Sequence, residues 1–219
     1  MRFFICGIAV MGLIVGCTDT GDVAIDQDGS ISAIEADRDT TRDEPGDEFA
    51  VGDPAPKFEG LIGVDDKKHS FEDYADAKAL AVVFTCNKCP VAVDYEERLV
   101  AFQNDYADKG VQLVAINVNN AEADKLPAMK DRAEEKGFQF SYLYDPSQKV
   151  GRDYGAKVTP HVFLLDGKRN LAYVGPVDDN PDVTQVSKSY LRDATDAVLA
   201  GASPETTVVE PVGCGIQYE

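Results

Sequence analysis

The chain has 219 residues, 44% of them hydrophobic, enough for one large domain with a buried core. It carries 39 acids against 21 bases, a formal net charge of -18, which excludes attraction to the phosphate backbone of a nucleic acid. No run of eighteen uncharged apolar residues occurs, so no mature membrane-spanning helix is expected, and five cysteines are too few to staple a miniature fold.

Arg2 precedes a mostly apolar run from Phe3 to Gly16, the charged start and short greasy middle of a secretory signal peptide. The run ends in Leu13-Ile14-Val15-Gly16-Cys17, which resembles a bacterial lipobox. Residues 1–16 are therefore expected to be cleaved, with Cys17 lipidated. The protein would then be tethered by its lipid to a membrane, outside the cytoplasm. Residues 17–48 are expected to be an acidic disordered tether. From Thr18 to Glu48 eleven acids oppose only Arg38 and Arg42, with no aromatic residue and no period. The stretch Ala24 to Glu35 has acids spaced as in a calcium loop. Ala24 stands where the first ligand belongs, so no metal site is assigned there.

From Phe49 the composition becomes that of a packed domain, expected over residues 49–201, with a tail over 202–219. Ala79 to Phe84 is a continuous apolar run, as in a strand covered on both faces. Pro90 opens a helix with Tyr95, Leu99, Phe102 and Tyr106 on one face, ended by Gly110. Val111 to Val118 reads as the next strand, Pro127 to Lys136 as a helix, and Phe138 to Tyr144 as extended chain. Asp145-Pro146-Ser147-Gln148 predicts a capped helix start, closed by Gly155. His161 to Leu165 and Asn170 to Val174 predict a hairpin around Asp166-Gly167. Val183 to Leu199 predicts a last helix with Val183, Val186, Tyr190, Ala194 and Ala197 on one face. This order of elements predicts a three-layer α/β sandwich around a mixed sheet.

Chemistry is concentrated directly after the buried strand, in Thr85-Cys86-Asn87-Lys88-Cys89-Pro90. A Cys-x-x-Cys at a strand-to-helix junction suits a redox dithiol. Unpaired N–H groups at the helix start, together with Lys88, favour a thiolate on Cys86, and Cys89 is placed to resolve a mixed disulfide formed on it.

These residues resemble the thioredoxin superfamily, and within it redoxin or peroxiredoxin-like exported proteins. Val51-Gly-Asp-Pro-Ala-Pro-Lys-Phe58 resembles the redoxin lead-in strand. Val158-Thr159-Pro160 is similar to the cis-proline turn that faces the dithiol, and Pro211-Val-Gly-Cys214 to the tail of one peroxiredoxin-like subgroup. The resemblance implies a thioredoxin-like fold and a thiol–disulfide oxidoreductase. Cys86 and Cys89 would exchange disulfides, and Pro160 with Thr159 would hold a protein dithiol or disulfide partner in strand-like pairing. No organic cofactor or metal is implied. The chain departs from the pattern in places. Leu80 stands where thioredoxin keeps a buried acid. Ala79 and Val83 occupy the positions of the proline and hydroxyl residue of a peroxiredoxin peroxide pocket.

Other readings of the same residues remain open: an inert disulfide, a zinc half-site completed by Cys214 with His69 or His161, a thiol-dependent peroxidase, or a copper chaperone of the same superfamily. Haem attachment is excluded because Pro90 follows Cys89. His161, next to Pro160, is either a residue that tunes Cys86 or a plain strand start, and His69 is expected to be exposed in an early hairpin. With Cys6 cleaved and Cys17 acylated, three thiols remain and one lacks a partner. Cys214, between Gly213 and Gly215, is either an auxiliary resolving thiol or a half-buried thiol that docks the tail.

Overall fold

The structure is a computed structural model, and it describes residues 49–219. The signal peptide, the lipidation site Cys17, the acidic tether and the calcium-loop-like stretch lie outside the described residues.

A short hairpin of β1 (Leu61–Gly63) and β2 (Lys68–His69) leads in, followed by a 3-10 turn over Phe71–Tyr74. The buried run forms β3 (Ala79–Phe84), every residue of it inaccessible. Helix α1 (Pro90–Tyr106) follows, then a 3-10 turn that stops at Gly110, whose φ of 88° suits a residue without Cβ. Next come β4 (Val111–Asn117), α2 (Leu126–Lys136), β5 (Ser141–Tyr144) and α3 (Lys149–Tyr154). The chain continues through β6 (Val158–Thr159), β7 (His161–Leu165), β8 (Leu171–Gly175), α4 (Tyr190–Leu199) and β9 (Cys214–Gly215).

Among the described residues the main sheet has seven strands in the order β2-β1-β5-β4-β3-β7-β8. Strands β3, β4 and β5 are parallel, while β7 lies antiparallel on the other side of β3 and β1 closes antiparallel on β5. Alternation along β3 sorts the core into two halves. Ala79, Ala81 and Val83 face α1, α2 and α4 through Tyr95, Leu99, Phe102, Met129 and Leu191. Leu80, Val82 and Phe84 face the opposite side, where Phe49, Phe58, Phe71, Val150 and Tyr154 pack.

Three expectations need correction. The helix foreseen over Val183–Leu199 begins only at Tyr190. Ahead of it the Asp182 carboxylate accepts from the Thr184 N–H at 2.9 Å, the Asp179 carboxylate accepts from the Ser187 N–H at 2.9 Å, and Arg98 donates to the Asn180 and Pro181 carbonyls. Asp182 thus caps no more than a 3-10 turn over Val183–Gln185, Asp179 takes the Ser187 N–H that a continuous helix would have paired, and Val183 is left 65% exposed. At α3 the cap works one turn early. Asp145 accepts from the Ser147 and Val150 N–H groups, Gln148 turns left-handed at φ 60°, and the helix starts at Lys149. The redoxin-like lead-in is not a strand. It makes an isolated bridge, Pro54 to Asn170.

The packing assigns different weights to two residues. Phe163 lies within 4.5–6.1 Å, centroid to centroid, of the rings of Phe49, Phe84, Tyr154 and His161. Phe163→Ala is expected to lower unfolding free energy by about 3–5 kcal/mol in denaturant titration, while Val183→Ala changes it by less than about 0.5 kcal/mol. A large loss at Val183 would restore the longer helix.

Candidate active site

Strand β3 ends at Phe84, which is paired with His161 of β7. Cys86, two residues past Phe84, therefore meets Thr159, two residues before His161. The Thr159–Pro160 bond is cis. Cys86 Sγ lies 3.3 Å from the Thr159 hydroxyl, and Cys89 Sγ lies 3.2 Å from the Thr159 carbonyl oxygen. Both cysteines are buried, each 3% exposed.

Cys89, not Cys86, is the N-cap of α1, with its sulfur accepting from the Ala92 N–H at 3.4 Å. Cys86 sits a turn earlier, reached by the backbone N–H groups of Lys88 and Cys89. The expected thiolate is not what this environment favours. Burial raises the Cys86 pKa above its ordinary value, and the negative charge of Asp124 adds to the rise. The bonds from Thr159 and from the two backbone groups only partly oppose it. Lys88 is exposed, and the N–H that it turns toward Cys86 is shared with the Asp124 carboxylate at 3.1 Å.

Asp124 is the residue that pattern reading missed. Its carboxylate is 1% exposed and accepts from the Asn87 and Lys88 N–H groups at 2.8 and 3.1 Å, fixing the turn between the cysteines. The Asn87 side chain donates to the Ala123 carbonyl and accepts from Tyr142 Oη at 2.9 Å. Asn117 closes the network by donating to the Asp124 carbonyl and to Tyr142 Oη. The one available signal was Asn117, a polar residue that ends the apolar run Leu113–Ile116.

The histidines lie elsewhere than a tuning or metal role requires. His161 Nδ1 accepts from the Lys157 N–H at 3.3 Å, and its ring packs on Phe163. Burial pushes its pKa down to about 4, so it is neutral at pH 7 and supplies no charge to a thiolate. His69 is half-buried rather than exposed, bonded to Asp65 at 2.9 Å. Among the described residues no three His, Cys, Asp or Glu side chains gather in a group able to hold a metal ion.

The tail does come to the site. Strand β9 pairs antiparallel with β6, Cys214 opposite Thr159, and Cys214 is disulfide-bonded to Cys89, their Cα atoms 5.8 Å apart. Among the described residues the free thiol is thus Cys86. A cleft of about 510 Å³ opens beside the sulfurs, lined by Lys88, Asn119, Asn120, Asp124 and Gln217 among others.

A buried strand running into two cysteines opposite a cis-proline, on a mixed sheet between helical layers, defines a thioredoxin-like fold with a thiol site. The chain belongs to the Redoxin family, whose model matches residues 50–190. It is 36% identical to a hypothetical protein of Sinorhizobium meliloti, with 79% of this chain and 97% of that one covered at a TM-score of 0.74. It is 35% identical to an uncharacterized conserved protein of Geobacillus kaustophilus, covering 79% and 94% at 0.73. A thiol:disulfide interchange protein of Chlorobium tepidum is 25% identical over 57% of this chain and 86% of that one, at 0.50. A comparison with curated proteins finds no match.

Iodoacetamide labelling of Cys86, followed by peptide mass against pH, is expected to show a midpoint above that of an exposed cysteine. Asp124→Asn removes the negative charge and should move that midpoint down. An unchanged or raised midpoint would show that the Asp124 charge does not reach the sulfur.

Proposed function

We propose that the protein is a thiol–disulfide oxidoreductase whose reacting residues are Cys86 and Cys89, working in the cell envelope from a lipid anchor on Cys17. The observation that carries the reading is that both sulfurs rest on Thr159, at the end of a fully buried strand and beside Pro160. Membership of the Redoxin family and the likeness to a thiol:disulfide interchange protein support it.

In the reduced protein the Cys86 thiolate attacks a partner disulfide, forming a mixed disulfide and releasing one partner thiolate. Cys89 then attacks the Cys86 sulfur, and the Cys86–Cys89 bond forms as the second partner thiolate leaves. One partner disulfide has become two thiols, and the protein holds the disulfide until another dithiol protein reduces it. The same steps reversed oxidise a partner. The Thr159 hydroxyl is placed to hydrogen-bond the Cys86 sulfur, and the backbone of β6, here paired with the tail strand β9, is the edge an extended partner segment would take once the tail gives way.

Reduction of a protein disulfide at the expense of dithiothreitol is expected to fall to background in Cys86→Ser, while Cys89→Ser accumulates mixed disulfides on Cys86. Full turnover in Cys86→Ser overturns the assignment. Rapid Cys86-dependent consumption of hydrogen peroxide without disulfide turnover would favour a peroxidase.

For the anchor, Cys17→Ala should move the protein from the membrane to the soluble fraction, or block its processing, since the lipid is the only tether proposed. A mutant that fractionates like wild type removes the lipid from the account.

A further inference from the structure

The tail is held on both sides of Cys214. Before it, Val209 N–H donates to the Val174 carbonyl and Val208 bridges to β8. After it, the Ile216 N–H donates to the Lys157 carbonyl, and Ile216 is buried in the core. Tyr218 Oη donates to the Ala156 carbonyl at 2.7 Å, and Gln148 bonds both the Gln217 carbonyl and the Glu219 N–H. A thiol released at position 214 would therefore stay beside Cys89 at high effective concentration. Gly213 passes so close to the chain that an added Cβ would stand 2.1 Å from the Thr159 carbonyl oxygen, a contact only glycine permits.

Cys86, Cys89 and Cys214 form one packed cluster, yet the disulfide joins the second and third of them and leaves the first as a thiol. We propose that Cys214 is a third redox residue of the site, which takes the disulfide from Cys86 and returns Cys86 to its thiol form. The inference rests on the oxidoreductase reading above. After Cys86 and Cys89 have been oxidised by a partner, the Cys214 thiolate attacks the Cys89 sulfur. The Cys89–Cys214 bond forms, the Cys86–Cys89 bond breaks, and Cys86 leaves as thiolate and takes up the proton that Cys214 gave up. One disulfide replaces another with no net transfer of electrons. The protein then stores its disulfide on the tail while its nucleophile is free again, a state that a two-cysteine site lacks.

The test uses the fully reduced full chain and excess 5,5′-dithiobis(2-nitrobenzoate), with acid quenching and non-reducing tryptic mapping. Trypsin cuts after Lys88 and so puts Cys86 and Cys89 in different peptides, while Cys214 falls in the peptide from Asp193 to Glu219. Wild type is expected to end with a Cys89–Cys214 disulfide and a nitrobenzoate adduct on Cys86. Cys214→Ser should stop at Cys86–Cys89 with no adduct on either. Cys86→Ser should form the Cys89–Cys214 bond at least about tenfold more slowly, because Cys86 is the entry thiol. Gly213→Ala, which crowds Thr159, should cut the Cys89–Cys214 share at least about tenfold and move the adduct to Cys214. A wild-type adduct on Cys214 with the Cys86–Cys89 bond intact overturns the relay and leaves the oxidoreductase reading standing. So does a Cys89–Cys214 bond that forms equally fast in Cys86→Ser. Adducts on all three thiols, with no disulfide, overturn both.

Discussion

The antiparallel pairing of β3 with β7 is the constraint on which the site depends. It puts Phe84 opposite His161, so the chain leaving β3 and the chain entering β7 meet at one end of the sheet, sulfur against Thr159. Neither partner could do this alone. The Cys-x-x-Cys segment is short and polar at Asn87 and Lys88, and β6 is two residues long. Their positions come from the central strands, whose residues are inaccessible on both faces and whose register cannot slip by one residue without exchanging the two halves of the core.

Within that frame, burial and local donors pull on Cys86 in opposite directions, and burial wins. The helix start that should favour a thiolate is shared. Asp124 takes the N–H groups of Asn87 and Lys88, and Cys89 takes that of Ala92. A carboxylate at this place does two things at once. It holds the turn rigid, and it makes a second negative charge nearby less favourable. The sulfur is thus a guarded nucleophile in the tail-docked state, and changes that expose it or draw away Asp124 make it more reactive.

Much of the fold was legible because long apolar runs and helical spacing leave few alternatives. The run from Ala79 to Phe84 and the stripe from Tyr95 to Tyr106 are unambiguous patterns, and they carry the sheet centre and the helix beside it. The failures share a cause. At Val183 and at Asp145, Asp carboxylates accept from nearby backbone N–H groups and override a pattern that periodicity reads as helix. The site was half legible. Cys86, Cys89, Thr159 and Pro160 stand in local motifs, but Asp124, Asn117 and Tyr142 meet the dithiol turn only through the sheet and have no mutual spacing to notice. His161 shows the converse, since adjacency to Pro160 does not say which way a ring turns.

Cysteine counting left one thiol without a partner, and the fold moves that place from the tail to the first residue of the motif. The change follows from strand geometry. Pairing β9 with β6 lays Cys214 along the edge that an extended partner segment would use, so the tail stands where a partner's cysteine would stand. A partner that reaches Cys86 must therefore either compete with the tail for β6 or enter from the cleft beside Lys88 and Asn119. Once the Cys89–Cys214 disulfide has been reduced, the first route still demands that the hydrogen bonds from Ile216 to Glu219 yield, while the second leaves them in place. Because those bonds involve α3 and the chain just before β6 rather than the sulfurs, the two routes are separable. Loosening the tail's end affects access along the edge, whereas the polar residues at the mouth of the cleft affect access from the side.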